Sequence, residues 1–252
     1  MPREFEVRKE VELDASPEQV WEAIATGPGI SSWFMGPHEV EPHVGGRIRL
    51  TIGDFSEEAT ITAWDPSKQL AYRGGTGPDG SFHAFEYLVE GREGGSSVLR
   101  FVHSGIVGDD WGDEYEDQTS RGWDMYLHTL GQYLVHFTGR PGTYVHAVAP
   151  PAPEGQDAWT LLMVGLGLTE PLAAGDAVRM APDGMAPIDG VVDYAQPGRQ
   201  FLGVRGPEGL YRFHGGGPQI GIGHHLFAEG TDAEAAAGAW QAWVNRVFSG
   251  AD

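Results

Sequence analysis

The order of secondary-structure signals in the first 140 residues constrains this chain more than any other feature. Apolar and polar residues alternate from Phe5 to Leu13, which is the period-two pattern of a half-buried strand. Two short helices, a series of alternating segments and a long apolar-periodic stretch over residues 114–137 follow. This order predicts an α+β fold in which a curved antiparallel sheet wraps around a long C-terminal helix. Such an arrangement leaves room for an apolar cavity between the sheet and the helix.

Local signals place the individual elements. Ser16 with Pro17 behind it predicts the start of a helix, and Gly27-Pro28-Gly29 predicts its end. The tetrapeptide Asp65-Pro66-Ser67-Lys68 predicts a type I turn between two strands. The remaining strands are expected at residues 47–52, 59–64, 70–73, 82–89 and 98–103.

Composition limits the class of protein. The chain has 252 residues with 40% apolar content, enough for one large or two small cores, and no cysteine, which excludes disulfides and thiolate chemistry. A formal charge of −20 argues against nucleic acid and against anionic membrane surfaces as partners. The acidic residues between 109 and 117 are expected to form a solvated surface. Because the N-terminus is charged and no apolar run reaches the ~18 residues of a membrane helix, we expect a cytoplasmic protein.

The second half of the chain repeats the pattern of the first in reduced form. Residues 1–138 form the first expected domain, and a Pro/Gly-rich linker at 139–156 contains a strand-like segment, Tyr144 to Val148. Residues 157–252 then show the same order of signals with shorter helices. We therefore expect two tandem copies, the second degenerate and with a reduced cavity.

The first half resembles a known superfamily. An ordered set of segments has this likeness: Ala15 to Ile24, Ile30 to Trp33, Gly45-Gly46, the Trp64-Asp65-Pro66 turn, Val98 to Gly105 and the helix that carries Trp123. Together they resemble the START/SRPBCC superfamily, and within it the branch similar to the C-terminal domain of the activator of heat-shock protein 90 ATPase. The resemblance implies a helix-grip fold with an apolar cavity under the long helix. It does not imply a single activity, because the superfamily includes lipid carriers, hormone receptors, aromatases, cyclases and co-chaperones.

Motifs for common chemistries are missing from the sequence. The Gly-rich stretches lack the lysine of a phosphate-binding loop, and no Gly-x-Ser-x-Gly elbow occurs. His224 and His225 are adjacent on a predicted strand and point to opposite faces, which disfavours a metal site. No metal and no cofactor are expected. His103, at the end of an apolar strand, is the candidate acid/base residue if the protein is an enzyme.

Aromatic residues predict the binding site. We expect a pocket lined by large side chains, with His103, Arg49 or Tyr87 as the polar contact. The candidate ligand-binding residues are Trp33, Phe34, Arg49, Trp64, Tyr72, Phe85, Tyr87, Phe101, His103, Trp123 and Tyr126. The favoured function is non-catalytic binding of a small apolar or aromatic molecule, as in a carrier, a sensor or a stress-related accessory protein. The alternatives are an enzyme of the polyketide cyclase or aromatase kind that uses His103, and a co-chaperone-like module that binds a protein partner.

Overall fold

A computed structural model describes residues 2–108, 115–196, 200–215 and 219–249. The chain divides into two compact units, Met1–Pro141 and Gly142–Asp252. Each unit is built from one antiparallel sheet and its own helices, and each is described by itself below.

The first unit contains seven strands and three helices among its described residues. They are β1 (Arg3–Leu13), α1 (Pro17–Ala25), α2 (Gly27–Ser31), β2 (His38–Val40), β3 (Arg47–Ile52), β4 (Phe55–Asp65), β5 (Gln69–Gly74), β6 (Phe82–Gly91), β7 (Ser97–Val107) and α3 (Tyr115–His136).

The sheet of the first unit is an antiparallel meander closed by its first strand. Its order is β1-β7-β6-β5-β4-β3-β2, so that β1 lies beside β7. Alternation places every second side chain on the face toward α3. In the register, Tyr72 pairs with Phe85, Phe85 with His103 and His103 with Val7, which aligns these four side chains across the sheet.

The helices cover one face of this sheet. Ser16 caps α1 in a capping box with Gln19, as its position before Pro17 predicts. The closing helix α3 buries Trp123, Leu127 and Leu130, which recur at the three- and four-residue spacing of a helix face. Burial of these side chains, at about 25 cal/mol per Å² of apolar area, stabilises the packing of α3 on the sheet.

The second unit repeats the topology with fewer elements. Its described elements are β8 (Thr143–Val148), α4 (Ala158–Gly165), β9 (Ala177–Met180), β10 (Ile188–Gln196), β11 (Phe201–Gly206), β12 (Gly209–His214), β13 (Gly221–Leu226) and α5 (Ala233–Ser249). The sheet order β8-β13-β12-β11-β10-β9 again sets the first strand beside the last. One helix stands where the first unit has two, and the sheet has one strand fewer. The expected α+β helix-grip fold, in two tandem copies with the second degenerate, is confirmed.

The second unit is filled beneath its closing helix. Trp240 and Trp243 of α5 pack with Phe213 and Leu162 in a continuous apolar core. A buried ion pair joins two of its strands: Arg212 Nη2 lies 2.7 Å from Asp193 Oδ2, and the two side chains are 2% and 3% exposed.

Three local expectations change. The strand β2 was not predicted, because three residues are too short for a periodic signal. The turn at Asp65–Lys68 is not type I, since Ser67 at its third position has a φ of 62°. The fourth strand starts at Phe55, four residues before the expected start at Ala59, so that it also contains Glu57.

Three features of the sequence fall wholly or partly outside the residues that the structure describes. Most of the acidic cluster, residues 109–114, lies outside the described residues, as do the second-unit turn at 197–199 and glycines 216 and 217. In the described ranges, no helix combines the length and the apolar character needed to cross a bilayer.

Candidate functional site

A cavity of about 330 Å³ lies between α3 and the sheet of the first unit. Its volume is within the range of about 300–1,000 Å³ that is typical of small-molecule sites. The residues that line it are mostly apolar or aromatic: Phe34, Met35, Leu50, Glu57, His83, Phe85, His103, Tyr115, Thr119, Gly122, Trp123 and Tyr126. A smaller space of about 60 Å³ shares Phe34, Leu50, Glu57 and Phe85 with it and is also lined by His38, Ile48, Ala59 and Tyr72.

Strand alternation brings the wall of the cavity together. His83 and Phe85 are two residues apart on β6 and therefore share a face. His103 on β7 is the direct partner of Phe85, and Gly105, two residues further, is the partner of His83. The opposite wall comes from α3, where Thr119, Gly122 and Trp123 fall on one side of the helix.

His103 is enclosed by aromatic rings. Phe85 stacks on its imidazole with ring centroids 4.3 Å apart, and Phe5 meets it edge-on at 5.0 Å. The side chain is 6% exposed. Burial is the main cause that lowers the pKa of His103 to about 3, with a further contribution from the neighbouring His83. His103 is therefore neutral near pH 7.

Both ring nitrogens of His103 are hydrogen-bonded. Trp123 Nε1 donates to His103 Nδ1 at 3.0 Å, and His103 Nε2 lies 3.0 Å from His83 Nδ1. The indole bond links α3 to the sheet. The imidazole pair extends the network along the sheet to His83, whose pKa is also lowered by burial.

Two tyrosines, the partly buried Tyr72 and the buried Tyr87, lie further along the same face. Tyr72 and Tyr87 share a hydroxyl contact of 3.4 Å. Burial raises the pKa of Tyr72 to about 12 and raises that of Tyr87 well above its usual value. Both phenols are therefore protonated at neutral pH. Tyr115, at the start of α3, has its pKa raised by burial as well.

The structure brings six of the predicted site residues to these two spaces, which share part of their lining. Phe34, Phe85, His103, Trp123 and Tyr126 line the main cavity, and Tyr72 lines the smaller one.

The other five predicted residues lie elsewhere. Trp33 is a core residue that donates from Nε1 to the Ala23 carbonyl at 2.9 Å, and Phe101 is fully buried behind Trp123 with ring centroids 4.0 Å apart. Trp64 packs edge-on against Trp21 of α1. Tyr87 contacts Phe101 and Tyr72 outside the lining.

Arg49 does not lie in the cavity, contrary to the expectation from the sequence. It lies between Ile48 and Leu50 on β3, so alternation directs it to the opposite face, where it pairs with Glu39 and Glu58. It provides no polar contact in the cavity. The same alternation, applied along β3, predicts this outcome from the sequence.

Seven residues that line the main cavity were not predicted from the sequence: Met35, Leu50, Glu57, His83, Tyr115, Thr119 and Gly122. His83 shares its face with Phe85 and Tyr87, so the period of β6 could have identified it. Glu57 was missed because the strand was expected to begin after it. Gly122 carries no side-chain signal, and only the packing shows that a Cβ at this position would meet open space.

The second unit has a cavity of its own. It measures about 350 Å³ and is lined by α4, the 170–172 segment and residues around the β10–β11 connection, including Trp159, Met163 and Phe201. It is not a counterpart of the cavity in the first unit, because the space beneath α5 is filled by the apolar core. The position differs as well, since no residue of α5 lines it. Across the described ranges of both units, no three His, Asp or Glu side chains are grouped closely enough to bind a metal ion.

Solved structures with a similar fold come from several sources. Protein MLL2253 of Mesorhizobium loti is 23% identical over 52% of this chain and 98% of its own, with a TM-score of 0.45. The Aha1 dimer of Colwellia psychrerythraea is 21% identical over 51% of this chain and 95% of its own, with a TM-score of 0.44. DynU16, a protein of the dynemicin biosynthetic locus, is 17% identical over 97% of this chain and 96% of its own, with a TM-score of 0.43.

A search among curated proteins finds none that matches this chain. The model of the family described as activator of Hsp90 ATPase homolog 1-like protein matches residues 14–135, from the start of α1 almost to the end of α3. Over these residues, which include every element of the first unit except β1, the match supports the resemblance to this family expected from the sequence.

Proposed function

We propose that the first unit binds a small apolar or aromatic molecule, without changing it chemically, in the cavity between α3 and the sheet. The observation that carries this proposal is a space of about 330 Å³ walled by Phe34, Phe85, Trp123 and Tyr126. Four aromatic rings around one space favour a planar apolar guest, because ring stacking and edge contacts add to the burial of apolar area.

A helical glycine keeps the cavity open. Gly122 lines the space from α3, and a Cβ placed there has no atom within 4 Å. Glycine in a helix interior costs about 0.5–1 kcal/mol relative to alanine. A glycine at the position of α3 that lines the cavity between Thr119 and Trp123 therefore supports the proposal that a ligand occupies this space.

The hydrogen bonds of His103 favour binding over acid/base catalysis. Each of its two ring nitrogens already has a partner in Trp123 or His83. A general base needs a nitrogen within reach of the substrate's proton, and His103 has neither nitrogen left for that role. Its geometry fits a structural link better than the role of catalyst in a cyclase.

Surface composition gives less support to a protein-interaction module. Among the described residues, the large apolar side chains that are most exposed are Val44, Phe55, Val135 and Val164, which belong to four separate segments. Single exposed apolar residues are usual on soluble proteins and do not mark a docking surface.

The test is a cavity-filling series with a neutral fluorescent probe, N-phenyl-1-naphthylamine. Wild type should bind it with a fluorescence increase, and Gly122→Leu should weaken binding by at least about tenfold because leucine occupies the space. Gly122→Ala controls for helix propensity, and Gly238→Leu places the same side chain on an exposed helical position of α5, where no atom lies within 4 Å.

Both controls should bind as wild type does. Folding of each variant is checked by circular dichroism. A folded Gly122→Leu protein that binds the probe as tightly as wild type would contradict the proposal, and so would a wild type that binds no probe.

A further inference from the structure

The indole of Trp123 determines where the proton of His103 lies. An indole N–H only donates, so the nitrogen it contacts, His103 Nδ1 at 3.0 Å, must accept. An accepting nitrogen carries no proton. Neutral His103 therefore has its proton on Nε2.

This assignment passes on to His83. His103 Nε2–H points to His83 Nδ1 across 3.0 Å, so that His83 Nδ1 must accept in turn. His83 then has its own proton on Nε2. A second proton on either imidazole would place two donors face to face and break one of the two bonds.

The relay ends at the cavity. His83 lines the space, and among the described residues no hydrogen bond is made by its Nε2. Gly105, its partner on β7, has no side chain to cover the ring, and a Cβ there would lie 3.1 Å from Phe5 Cε1. His83 thus offers an N–H donor of fixed tautomer at the edge of a mostly apolar and aromatic site.

A negative charge lies near the same edge. Glu57 lines the cavity from β4. Its charge is close enough to raise the pKa of His83 against the effect of burial. The chain as a whole carries a formal charge of −20. A carboxylate on a ligand would therefore meet repulsion rather than a cation at this site.

We propose that the cavity selects uncharged aromatic molecules that carry a hydrogen-bond-accepting oxygen, which binds to His83 Nε2–H, and that it discriminates against carboxylates. This inference rests on the proposed function and specifies its ligand class. His83 is the residue that determines polar specificity, and Trp123 and His103 are positioning residues that act through it.

Three naphthalenes of similar shape test the selection by calorimetry. 2-Acetylnaphthalene carries the accepting oxygen, 2-isopropenylnaphthalene has a CH₂ group in its place, and 2-naphthoate carries a charge. In wild type the ketone should bind about fivefold more tightly than the alkene, because the alkene leaves the donor unsatisfied, and the carboxylate should bind most weakly. In His83→Phe the ketone and the alkene should bind equally.

The outcomes separate the two proposals. Equal binding of ketone and alkene to wild type, or tighter binding of the carboxylate, overturns the selection while leaving the binding function intact. No binding by any of the three overturns both.

A second measurement needs no ligand. Imidazole ¹⁵N–¹H correlation spectra at pH 7 should show both His83 and His103 as neutral Nε2–H tautomers. An Nδ1–H tautomer or a cation at either position overturns the relay. In Trp123→Phe the constraint on His103 is removed, and its spectrum should show a mixture of tautomers.

Discussion

Trp123 Nε1 donates to His103 Nδ1 at 3.0 Å, and this single bond joins the closing helix to the strand that carries the most buried histidine of the cavity wall. Behind this contact Phe101 packs in the core, with its ring centroid 4.0 Å from that of Trp123. The helix, the sheet and the polar network of the site therefore depend on one another.

Two substitutions of Trp123 should separate the stability that comes from its hydrogen bond to His103 from the stability that comes from the packing of its ring. Trp123→Phe leaves a buried imidazole nitrogen without its partner and should lower the free energy of unfolding by about 1–3 kcal/mol. Trp123→Ala also removes the ring contacts and should cost about 3–5 kcal/mol. Urea unfolding followed by circular dichroism measures both. Trp21→Phe, at a half-buried position, is the control, and a loss below about 1 kcal/mol for Trp123→Ala would contradict the role of Trp123 as the anchor of α3.

Acid should destabilise the first unit through its neutral histidines. Burial lowers the pKa of His103 to about 3 and that of His38 to about 4, below the usual 6.5. Between these values and pH 6.5, both histidines are therefore protonated in the unfolded chain and neutral in the folded chain. Their contribution to stability is fully present above pH 6.5 and falls by about 1.4 kcal/mol per pH unit for each histidine, down to about pH 4 for His38 and about pH 3 for His103.

The variant His103→Asn tests this slope. Its side-chain oxygen can still accept from Trp123, but it does not titrate. The difference in unfolding free energy between wild type and variant should shrink from pH 7 to pH 5, by about 1.4 kcal/mol per unit below 6.5. A difference that stays constant over this range would show that His103 titrates normally in the folded state.

The buried ion pair of the second unit should behave differently from an exposed one. Asp193→Asn leaves Arg212, whose side chain is 2% exposed, as an uncompensated charge, and should cost about 3–5 kcal/mol. Asp189→Asn is the matched control, because its partner Arg179 is 62% exposed and Asp189 is 72% exposed. The control should lose about 0–1 kcal/mol. Thermal unfolding of both variants measures the difference in stability loss. Equal losses for Asp193→Asn and Asp189→Asn would contradict the prediction.

The glycine beneath His83 should not tolerate a side chain. A Cβ on Gly105 would lie 2.0 Å from the Phe82 carbonyl oxygen and close to Phe5, so the strands would have to separate. Gly105→Ala should therefore cost about 1–3 kcal/mol. Gly75→Ala, where a Cβ meets no atom within 4 Å, should change stability little. The two are compared by urea unfolding, and similar midpoints would mean that the sheet adapts at Gly105.

The predictions from sequence succeeded where a local period carried the information. Alternation identified β1, β3 and β6, and the helical spacing of Trp123, Leu127 and Leu130 identified α3. The repeat in the second half followed from the order of these signals. The cap at Ser16 follows from the chemistry of one residue and its immediate neighbours.

Predictions of the site were weaker, since contact depends on which face of which element is opposed. Phe101 and Trp123 are both large aromatic residues, so the sequence does not distinguish them. In the structure Phe101 is fully buried in the core, whereas Trp123 also lines the cavity. Arg49 was placed in the cavity although its neighbours on β3 directed it outward. Gly122 could not be found, because an absent side chain leaves a pattern only in three dimensions.

By itself the sequence determined the order of strands and helices, the excess of acidic over basic residues and the duplication, because each depends only on local residue spacing or on composition. The tertiary structure alone decided that Trp123, His103 and His83 form one chain of hydrogen bonds that ends at a cavity. The physical reason is that strand register and helix packing bring together groups 20 residues apart in the chain, and the tautomer of each imidazole then follows from its neighbour.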